Sequence, residues 1–251
     1  MSRSALVIVP TYNERGNLPT LVAALMAQEN VRLMVVDDQS PDGTGALADE
    51  LAATHPGRMQ VMHRAGRRGL GRSYIDGIRR AISEPVDVIC QMDADLSHDP
   101  AHLPALIAAT EQADVVIGSR YIPGGAIVNW PKRRQLLSRF ANMYIRAVTR
   151  LSARDCTSGY RCWRRQALAD LPLERFISDG YSFLVEMLFV AARRGCRIAE
   201  RPITFVERRV GESKVSKAVL IESAITPWRL IGNPVLAQKA PPPESHPSAR
   251  R

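Results

Sequence analysis

Cysteine is scarce in this chain of 251 residues, and its spacing argues against two kinds of site. Only four cysteines are present, and none of them forms a Cys-x-x-Cys pair. Neither a structural zinc site nor a disulfide framework is therefore indicated. Because proteins without disulfides are typical of reducing compartments, we expect a cytoplasmic location.

Long apolar stretches are also missing. No uninterrupted apolar run approaches the roughly 18 residues that a membrane-spanning helix needs. The apolar run near the start, in "MSRSALVIVPTYNE", is too short for a secretory signal and is followed at once by polar turn residues. We therefore expect any membrane contact to be peripheral, on the cytoplasmic face.

Acidic residues are outnumbered by basic ones. Lys and Arg total 34 against 25 Asp and Glu, which gives a formal net charge of +9 at pH 7. This excess favours an anionic partner, such as a nucleotide, a phosphorylated substrate, nucleic acid or an acidic membrane surface. A nonenzymatic protein that binds nucleic acid or an anionic surface would explain the charge. It would leave Asp37, Asp38, Asp93 and Asp95 unexplained, and no nucleic-acid motif is recognisable, so we expect no nucleic-acid partner.

Strand and helix patterns alternate through the first half of the chain. Short apolar runs that end in turn or acidic residues predict strands in "ALVIVP", "VRLMVVDD", "VDVICQMDAD" and "ADVVIGSR". Apolar residues at spacings of three and four predict helices in "NLPTLVAALMAQ", "GTGALADELAATH" and "GRSYIDGIRRAIS". This order predicts an α/β fold, a parallel sheet with helices on both faces. Ligands of such sheets bind at the carboxyl ends of the strands.

The second half has a looser pattern. "YIPGGAIVNWPKRRQ" predicts a loop, and helices are predicted in "LLSRFANMYIRAVTRL" and in "GYSFLVEMLFVAARRG", which should stop at Gly195. "VSKAVLIESAITPWRLIGNPVL" predicts an apolar-faced helical segment with a proline break. We accordingly divide the chain into a main domain at 1–214, an amphipathic helical segment at 215–235 and a disordered tail at 236–251.

Two carboxylates follow the third predicted strand directly, in "MDADLSHDP". Asp93 and Asp95 are two residues apart, so on an extended strand end both leave the same face, about 6.6 Å apart along the chain. Such a pair suits one hard cation, Mg²⁺ or Mn²⁺, completed by phosphate oxygens and water. Helix capping is the other interpretation, and it explains Asp99 but not Asp93. We therefore favour a metal site.

A second acidic strand end lies in "VVDDQSPDGT". A carboxylate at Asp38 can accept hydrogen bonds from a base edge or from ribose hydroxyls. Residues 40–44 are explained by turn chemistry alone. In "PTYNE", Tyr12 offers an aromatic face and Pro10 a rigid wall to a ligand. Asn13 and Glu14 have a second interpretation, in which they only begin the first helix.

Taken together, these segments resemble the nucleotide-sugar-binding part of family 2 glycosyltransferases, in particular the polyprenol (dolichol) phosphate mannose synthases. The resemblance runs from about Leu6 to Lys214. Its motifs, in family order, are "PTYNERGNLP", "VVDDQSPDGT", "MDADLSHDP", "GSRYIPGG", "TSGYRCWRR", "GYSFLVEM" and "FVERRVGESK". A single Asp-x-Asp is weak evidence because short acid pairs are common, but seven motifs in order are specific.

The resemblance implies a fold of the nucleotide-diphosphosugar transferase (GT-A) type, with a mixed, mostly parallel sheet flanked by helices. It also implies a metal-dependent, inverting transfer of mannose from GDP-mannose to polyprenyl (dolichyl) phosphate. Transfer of glucose or another sugar by the same fold stays open. Some relatives carry Gln two residues after the second Asp as a further metal ligand, and Ser97 occupies that position here.

The same resemblance assigns roles to individual positions. The guanosine would be held by Pro10, Tyr12, Glu14, Val36 and Asp38, with Asp93, Ala94 and Asp95 at the diphosphate and metal. Arg120, Arg208 and Lys214 match the positions that grip the acceptor phosphate and donor diphosphate, and with Asp95 they are the expected catalytic residues.

The implied acceptor carries a polyprenol tail, which lies in a bilayer. The loop and helix after residue 129 combine apolar anchors with cations suited to an interface, namely Trp130, Lys132, Arg133, Arg134, Leu136, Leu137 and Phe140. The helix around Trp228 would add a second surface. The alternative is an ordinary core-facing role for these helices together with a separate membrane-anchoring partner protein.

Overall fold

The computed structural model describes residues 3–176, 178, 180, 182–207 and 217–233. Arg208 and Lys214 lie outside the described residues, as does the tail at 236–251, and the helical segment at 215–235 lies partly outside them. Within the described part, no helix is both long enough and apolar enough to cross a membrane.

Strands and helices alternate over the first half of the chain, as its sequence pattern predicts. The strands are β1 (Ala5–Thr11), β2 (Val31–Asp37), β3 (Met59–His63), β4 (Val88–Gln91), β5 (Val115–Ser119), β6 (Ala126–Val128), β7 (Arg161–Arg164), β8 (Ile198–Pro202) and β9 (Thr204–Val206). The helices are α1 (Leu18–Met26), α2 (Thr44–Thr54), α3 (Leu70–Ala81), α4 (Leu103–Ala109), α5 (Lys132–Thr149), α6 (Arg165–Ala169), α7 (Ser182–Arg193) and α8 (Lys217–Ile231).

The main sheet has seven strands in the order β3-β2-β1-β4-β7-β5-β8 among the described residues. Only β7 runs antiparallel to its neighbours β4 and β5, so the predicted mixed, mostly parallel sheet is confirmed. The strand order turns around between β1 and β4, which pair in parallel. A crevice at the carboxyl ends of these two strands is where an open α/β sheet binds its ligands.

Both faces of the sheet carry a buried hydrophobic cluster. Successive side chains along each strand point to opposite faces and so contribute to different clusters. In β1, Leu6 and Ile8 join one hydrophobic cluster while Val7 and Val9 join the other. Helix α3 packs unusually close to the sheet at Gly77, where an added Cβ would come within 2.8 Å of the Ile8 side chain. This close approach explains glycine in the middle of a helix.

Three features differ from the sequence interpretation. Strands β3, β7, β8 and β9 were not predicted, and the predicted loop at "YIPGGAIVNWPKRRQ" contains β6, which pairs in parallel with β9. A strand of three residues carries too little pattern to be read locally, and its partner is far away in the sequence. Pro227 does not break α8 but lies inside it.

Helix α8 packs against α5, and polar contacts join the two helices. The Tyr144 hydroxyl donates to the Ala224 carbonyl at 2.6 Å and accepts from the Trp228 indole N–H at 2.7 Å. This contact joins the two helices that the sequence singles out for membrane contact.

Candidate active site

A cavity of about 460 Å³ opens at the carboxyl ends of β1, β2 and β4. The predicted site residues that line it are Pro10, Tyr12, Glu14, Asp38, Asp93, Ala94 and Asp95. They come from the ends of three parallel strands and the segments that follow them, and the sheet brings them together. Val36 is different, because its buried side chain belongs to the core beneath the cavity.

Asp95 is held in place by the turn that follows it. Its Oδ1 accepts hydrogen bonds from the Ser97 backbone N–H at 3.1 Å and from the Ser97 hydroxyl at 2.5 Å. Between them, Leu96 has a φ of 62°, which is uncommon for a residue other than glycine. Ser97 therefore orients the Asp95 carboxylate.

Asp93 is positioned by His98, a residue that sequence reasoning missed although it lies in the quoted motif. The Asp93 backbone N–H donates to His98 Nδ1 at 3.1 Å. The His98 ring stacks on Tyr160 at 5.0 Å and meets the edge of Phe205 at 5.6 Å. A packed, oriented ring in this position fixes the backbone that carries the first carboxylate.

Tyr74 lies beneath the same carboxylate, with its hydroxyl 3.5 Å from Asp93 Oδ1. Burial and the nearby Asp93 charge raise the pKa of Tyr74 well above its usual value. The side chain is thus a neutral phenol that faces a carboxylate.

Asp38 is fixed by a cation that the sequence did not point to. Its carboxylate pairs with the buried Arg64 and accepts the Gly69 backbone N–H at 2.8 Å. Arg64 also donates to Asp76 at 2.8 Å. Arg64 therefore sets the orientation of Asp38 at the wall of the cavity.

Asp37 has a structural role. Its carboxylate accepts hydrogen bonds from the Thr11 and Ser40 hydroxyls and stabilises the turn after β2.

Arg68 is a second residue that sequence reasoning missed, since nothing in "RAGRRG" separates it from a solvated surface cation. It lines the cavity and donates to the Tyr12 hydroxyl at 2.6 Å. Its guanidinium carbon lies 5.0 Å from the centre of the Tyr12 ring. A cation and an aromatic face thus stand together at the rim.

Arg120 follows β5 directly and is buried against Asp155 rather than lining this cavity. Its Nε and Nη2 each donate to one Asp155 oxygen at 2.7 Å. Burial alone would raise the pKa of Asp155, but the charge and hydrogen bonds of Arg120 outweigh it and hold that pKa below its usual value. The guanidinium lies 5.3 Å from the centre of the Phe205 ring, whose edge also meets His98.

The carboxylates fit a divalent cation. Two hard oxygen donors, Asp93 and Asp95, line one cavity, and both are held by their own turn. Within the described ranges, no group of three or more His, Cys, Asp or Glu side chains could hold a metal. An ion at this place would therefore complete its coordination with oxygens from substrate and water.

Comparison with known proteins explains this arrangement. Residues 6–171 match the sequence pattern of "Glycosyl transferase family 2". The match spans more than half of the chain and includes every described cavity residue except Gly180. The chain belongs to glycosyl transferase family 2. Its enzymatic class, a glycosyltransferase, agrees with the resemblance seen in its motifs.

Two relatives of this glycosyltransferase are similar over nearly their whole length. The "Polyprenol monophosphomannose synthase" of Mycolicibacterium smegmatis is 44% identical over 235 residues, which is 92% of this chain and 89% of the relative. The "Undecaprenyl-phosphate mannosyltransferase" of Micrococcus luteus is 46% identical over 228 residues, 90% of this chain and 93% of the relative.

The fold of this glycosyltransferase also resembles solved structures. Glucosyl-3-phosphoglycerate synthase from Mycobacterium tuberculosis, in complex with phosphoglyceric acid, superposes with a TM-score of 0.68 at 17% identity, covering 92% of this chain and 80% of that one. The same enzyme in complex with Mn²⁺ and UDP-glucose gives a TM-score of 0.65 at 16% identity, covering 92% and 79%. At this level of identity the similarity establishes the fold.

Proposed function

We propose that this glycosyltransferase moves mannose from GDP-mannose to polyprenyl phosphate, in a metal-dependent reaction that inverts the sugar configuration. One observation carries the proposal: the Asp93–Asp95 pair shares a cavity with Tyr12 and Asp38. The names of the two relatives, which share 44% and 46% identity with the chain, support the sugar and the acceptor class.

The nucleoside end of the donor would lie along β1 and β2. Tyr12 offers a ring for a base to stack on, with Arg68 against that ring. Asp38, oriented by Arg64, would accept from the base edge or ribose hydroxyls. Pro10 and Glu14 line the same end, and the buried Val36 supports it from beneath.

The diphosphate end would lie at Asp93, Ala94 and Asp95, with Mg²⁺ or Mn²⁺ held by the two carboxylates. Such a cation, when bound, neutralises the negative charge that develops on the leaving nucleoside diphosphate. His98 and Ser97 would keep both carboxylates in position throughout the reaction. Preorganised ligands of this kind need no rearrangement at the moment of bond breaking.

The acceptor phosphate would act as the nucleophile itself. One of its oxygens forms a bond to the anomeric carbon, and the bond from that carbon to the diphosphate breaks with its electron pair on the leaving GDP. Because the attacking oxygen is already anionic at neutral pH, no strong general base is needed. We assign the grip on the phosphates to Arg120, Arg208 and Lys214, with Asp95 at the metal.

A lipid acceptor requires contact with a membrane, and an exposed apolar surface suits that role. Leu136, Phe140 and Trp228 are each 58–63% exposed on the packed pair α5 and α8. Lys132 and Arg133 are exposed beside them, whereas Arg134 pairs with Glu207 at 2.7 Å and lies over Trp130. We propose that this face rests on the cytoplasmic surface of the membrane through apolar insertion and charge.

The experiment that tests the proposed function offers radiolabelled GDP-mannose or UDP-glucose with polyprenyl phosphate in detergent. Mg²⁺ or Mn²⁺ is added, and a matched sample receives EDTA. We expect lipid-extractable label from GDP-mannose only, and no label with EDTA. Label from UDP-glucose alone would show a glucosyltransferase instead, and no label from either donor would overturn the assignment.

A further inference from the structure

Two neighbouring loops follow β1 and β2 at the edge of the cavity that holds Asp93 and Asp95. The first, at residues 12–15, carries Tyr12 and Glu14, which line the cavity. The second, at residues 40–44, contributes no lining residue among those that the structure describes. We call the second loop the 40–44 turn. Its sequence is explained by turn chemistry alone, but its side chains also bind the first loop.

Three consecutive backbone N–H groups of the first loop donate to side chains of the 40–44 turn. The pairs are Asn13 with the Ser40 hydroxyl at 3.1 Å, Glu14 with the Thr44 hydroxyl at 3.0 Å, and Arg15 with Asp42 Oδ2 at 3.3 Å. The Arg15 guanidinium also donates to the Asp42 carbonyl at 3.2 Å. A turn closes through bonds within its own residues, so these contacts serve the neighbouring loop.

The two hydroxyls are themselves held by carboxylates. Thr44, which is fully buried, donates to Asp42 Oδ1 at 2.5 Å, and Ser40 donates to Asp37 Oδ1 at 2.6 Å. A hydroxyl that gives its proton to a carboxylate keeps its lone pairs for an incoming N–H. Burial would raise the pKa of Asp42, but hydrogen bonds from Thr44 and Arg15 outweigh it and hold that pKa below its usual value.

The first loop has a backbone conformation that benefits from such support. Asn13 has a φ of 61°, in the left-handed region that is uncommon for residues other than glycine. It lies between Tyr12 and Glu14, so its conformation sets how these two cavity residues are placed relative to each other. A loop that is already ordered in the free protein loses less conformational freedom on binding, which raises the affinity for the ligand.

We propose that Ser40, Asp42 and Thr44 are positioning residues that hold Tyr12 and Glu14 in the arrangement that binds the nucleoside of the donor. This inference rests on the proposed function, because it takes the cavity to bind a nucleoside diphosphate sugar. The carboxylates assigned to the metal follow a different strand, β4. Loss of a positioning residue should therefore weaken donor binding and leave the chemical step unchanged.

The test removes the buried hydroxyl with Thr44→Val, which keeps the shape of the side chain. The KM for GDP-mannose and the dissociation constant of GDP with Mg²⁺ should both rise about tenfold, the equivalent of one hydrogen bond near the upper end of its usual range. The kcat should stay within about twofold of wild type. Thr44→Ser keeps the hydroxyl and should have wild-type constants. A lowered kcat with unchanged KM, or no change in either, would overturn the proposal.

Thr110→Val is the matched control. Thr110 is equally buried, and its hydroxyl donates to the Ile107 carbonyl at 2.6 Å and accepts from Arg3 at 2.8 Å. It follows α4 and is not among the described residues that line the cavity. Thermal unfolding should show similar losses of stability in the two valine variants, whereas only Thr44→Val should lose donor affinity. Equal losses of donor affinity would assign the effect to general destabilisation and overturn the proposal.

Ser40→Ala gives a second measurement at a half-buried position, where folding is less at risk. It removes one of the three acceptors and should raise the KM for GDP-mannose about threefold with little change in kcat. Wild-type KM in this variant together with wild-type KM in Thr44→Val would show that the 40–44 turn does not position the first loop.

Inhibition of transfer by GDP and by pyrophosphate shows which end of the donor is affected. Pyrophosphate with Mg²⁺ lacks the nucleoside, so Thr44→Val should weaken inhibition by GDP about tenfold and leave inhibition by pyrophosphate unchanged. Equal weakening of both would overturn the proposal. A wild type that binds no GDP and transfers no mannose would defeat the proposed function and this inference with it. An active wild type with equal GDP affinity in Thr44→Val would defeat this inference alone.

Discussion

At the scale of single residues, the Asp93–Asp95 pair depends on neighbours that carry no metal-binding chemistry themselves. Ser97 donates twice to Asp95, and His98 accepts the backbone N–H of Asp93. Removing the Asp95 side chain altogether would leave two buried Ser97 donors without an acceptor, at a cost of about 1–3 kcal/mol. A substitution that tests the charge of Asp95 alone must therefore keep an oxygen that accepts the two hydrogen bonds from Ser97.

Asp95→Asn meets that condition, because its amide oxygen can still accept from Ser97. We expect normal folding and a fall of about 10³-fold in kcat/KM, since the lost charge weakens the hold on a divalent cation that stabilises the leaving group by several kcal/mol. Steady-state transfer assays over a range of Mg²⁺ and Mn²⁺ measure the change. Asp99→Asn is the matched control, because Asp99 is exposed and its side chain caps the turn at Pro100–His102. Turnover by Asp95→Asn within tenfold of wild type would contradict the metal assignment.

At the scale of elements, helix α5 serves two surfaces. Asn142 and Ile145 are buried against the domain, whereas Leu136, Leu137, Phe140 and Met143 are exposed. An exposed apolar strip bordered by cations is the pattern of a helix that lies in a membrane interface. Since Arg134 is engaged with Glu207 and Trp130, the free-standing charge at the start of α5 comes from Lys132 and Arg133.

Leu136→Ser combined with Phe140→Ser should weaken binding to anionic vesicles by about tenfold to a hundredfold, because the inserted apolar area is lost. Both side chains are already exposed, so the free energy of unfolding should hardly change. Lys132→Gln with Arg133→Gln should instead remove the part of the binding that high salt abolishes. Vesicle sedimentation at low and high salt distinguishes the two effects. Unchanged binding of both double variants would assign membrane attachment to the Trp228 helix or to a partner protein.

At the scale of the whole molecule, one buried ion pair joins segments that are distant in sequence. Asp155, which is fully buried, accepts from the side chain and the backbone N–H of Arg120 at the end of β5. The Asp155 backbone in turn donates to Glu200 in β8. The pair therefore ties together strands from separate stretches of sequence and sets the place of Arg120.

Asp155→Asn should lower the free energy of unfolding by about 3–5 kcal/mol near neutral pH, because it leaves the Arg120 charge buried without its partner. Asp114→Asn, which weakens partly exposed pairs with Arg197 and Arg164, should cost less, about 1 kcal/mol. Urea denaturation of the three proteins measures both values.

The same pair predicts a pH dependence. Because the folded-state pKa of Asp155 is lowered, its contribution is fully present above the unfolded value of about 3.9 and is lost as the pH falls through the folded pKa. The stability difference between wild type and Asp155→Asn should therefore be constant from neutral pH to about pH 5 and shrink in stronger acid. A difference that stayed the same into strong acid would show that the ionised carboxylate is not its source.

The sequence by itself determined the features that are encoded locally. Apolar runs predicted β1, β2, β4 and β5, and helical spacing predicted the helices between them, because strand and helix periods appear within a few residues. The Asp-x-Asp motif was visible for the same reason, since a strand end and both carboxylates lie within five positions. The order of these motifs was enough to indicate the glycosyltransferase family.

Only the tertiary structure decided what depends on partners distant in sequence. The pairing of β6 with β9, the place of Arg68 beside Tyr12 and the binding of Arg120 to Asp155 have no local signature. Pro227 lies within α8 although its own sequence favours a break, a case of context outweighing local preference. Charge attraction and packing act through space, so the residue that completes a site is set by the folded chain and not by its neighbours in sequence.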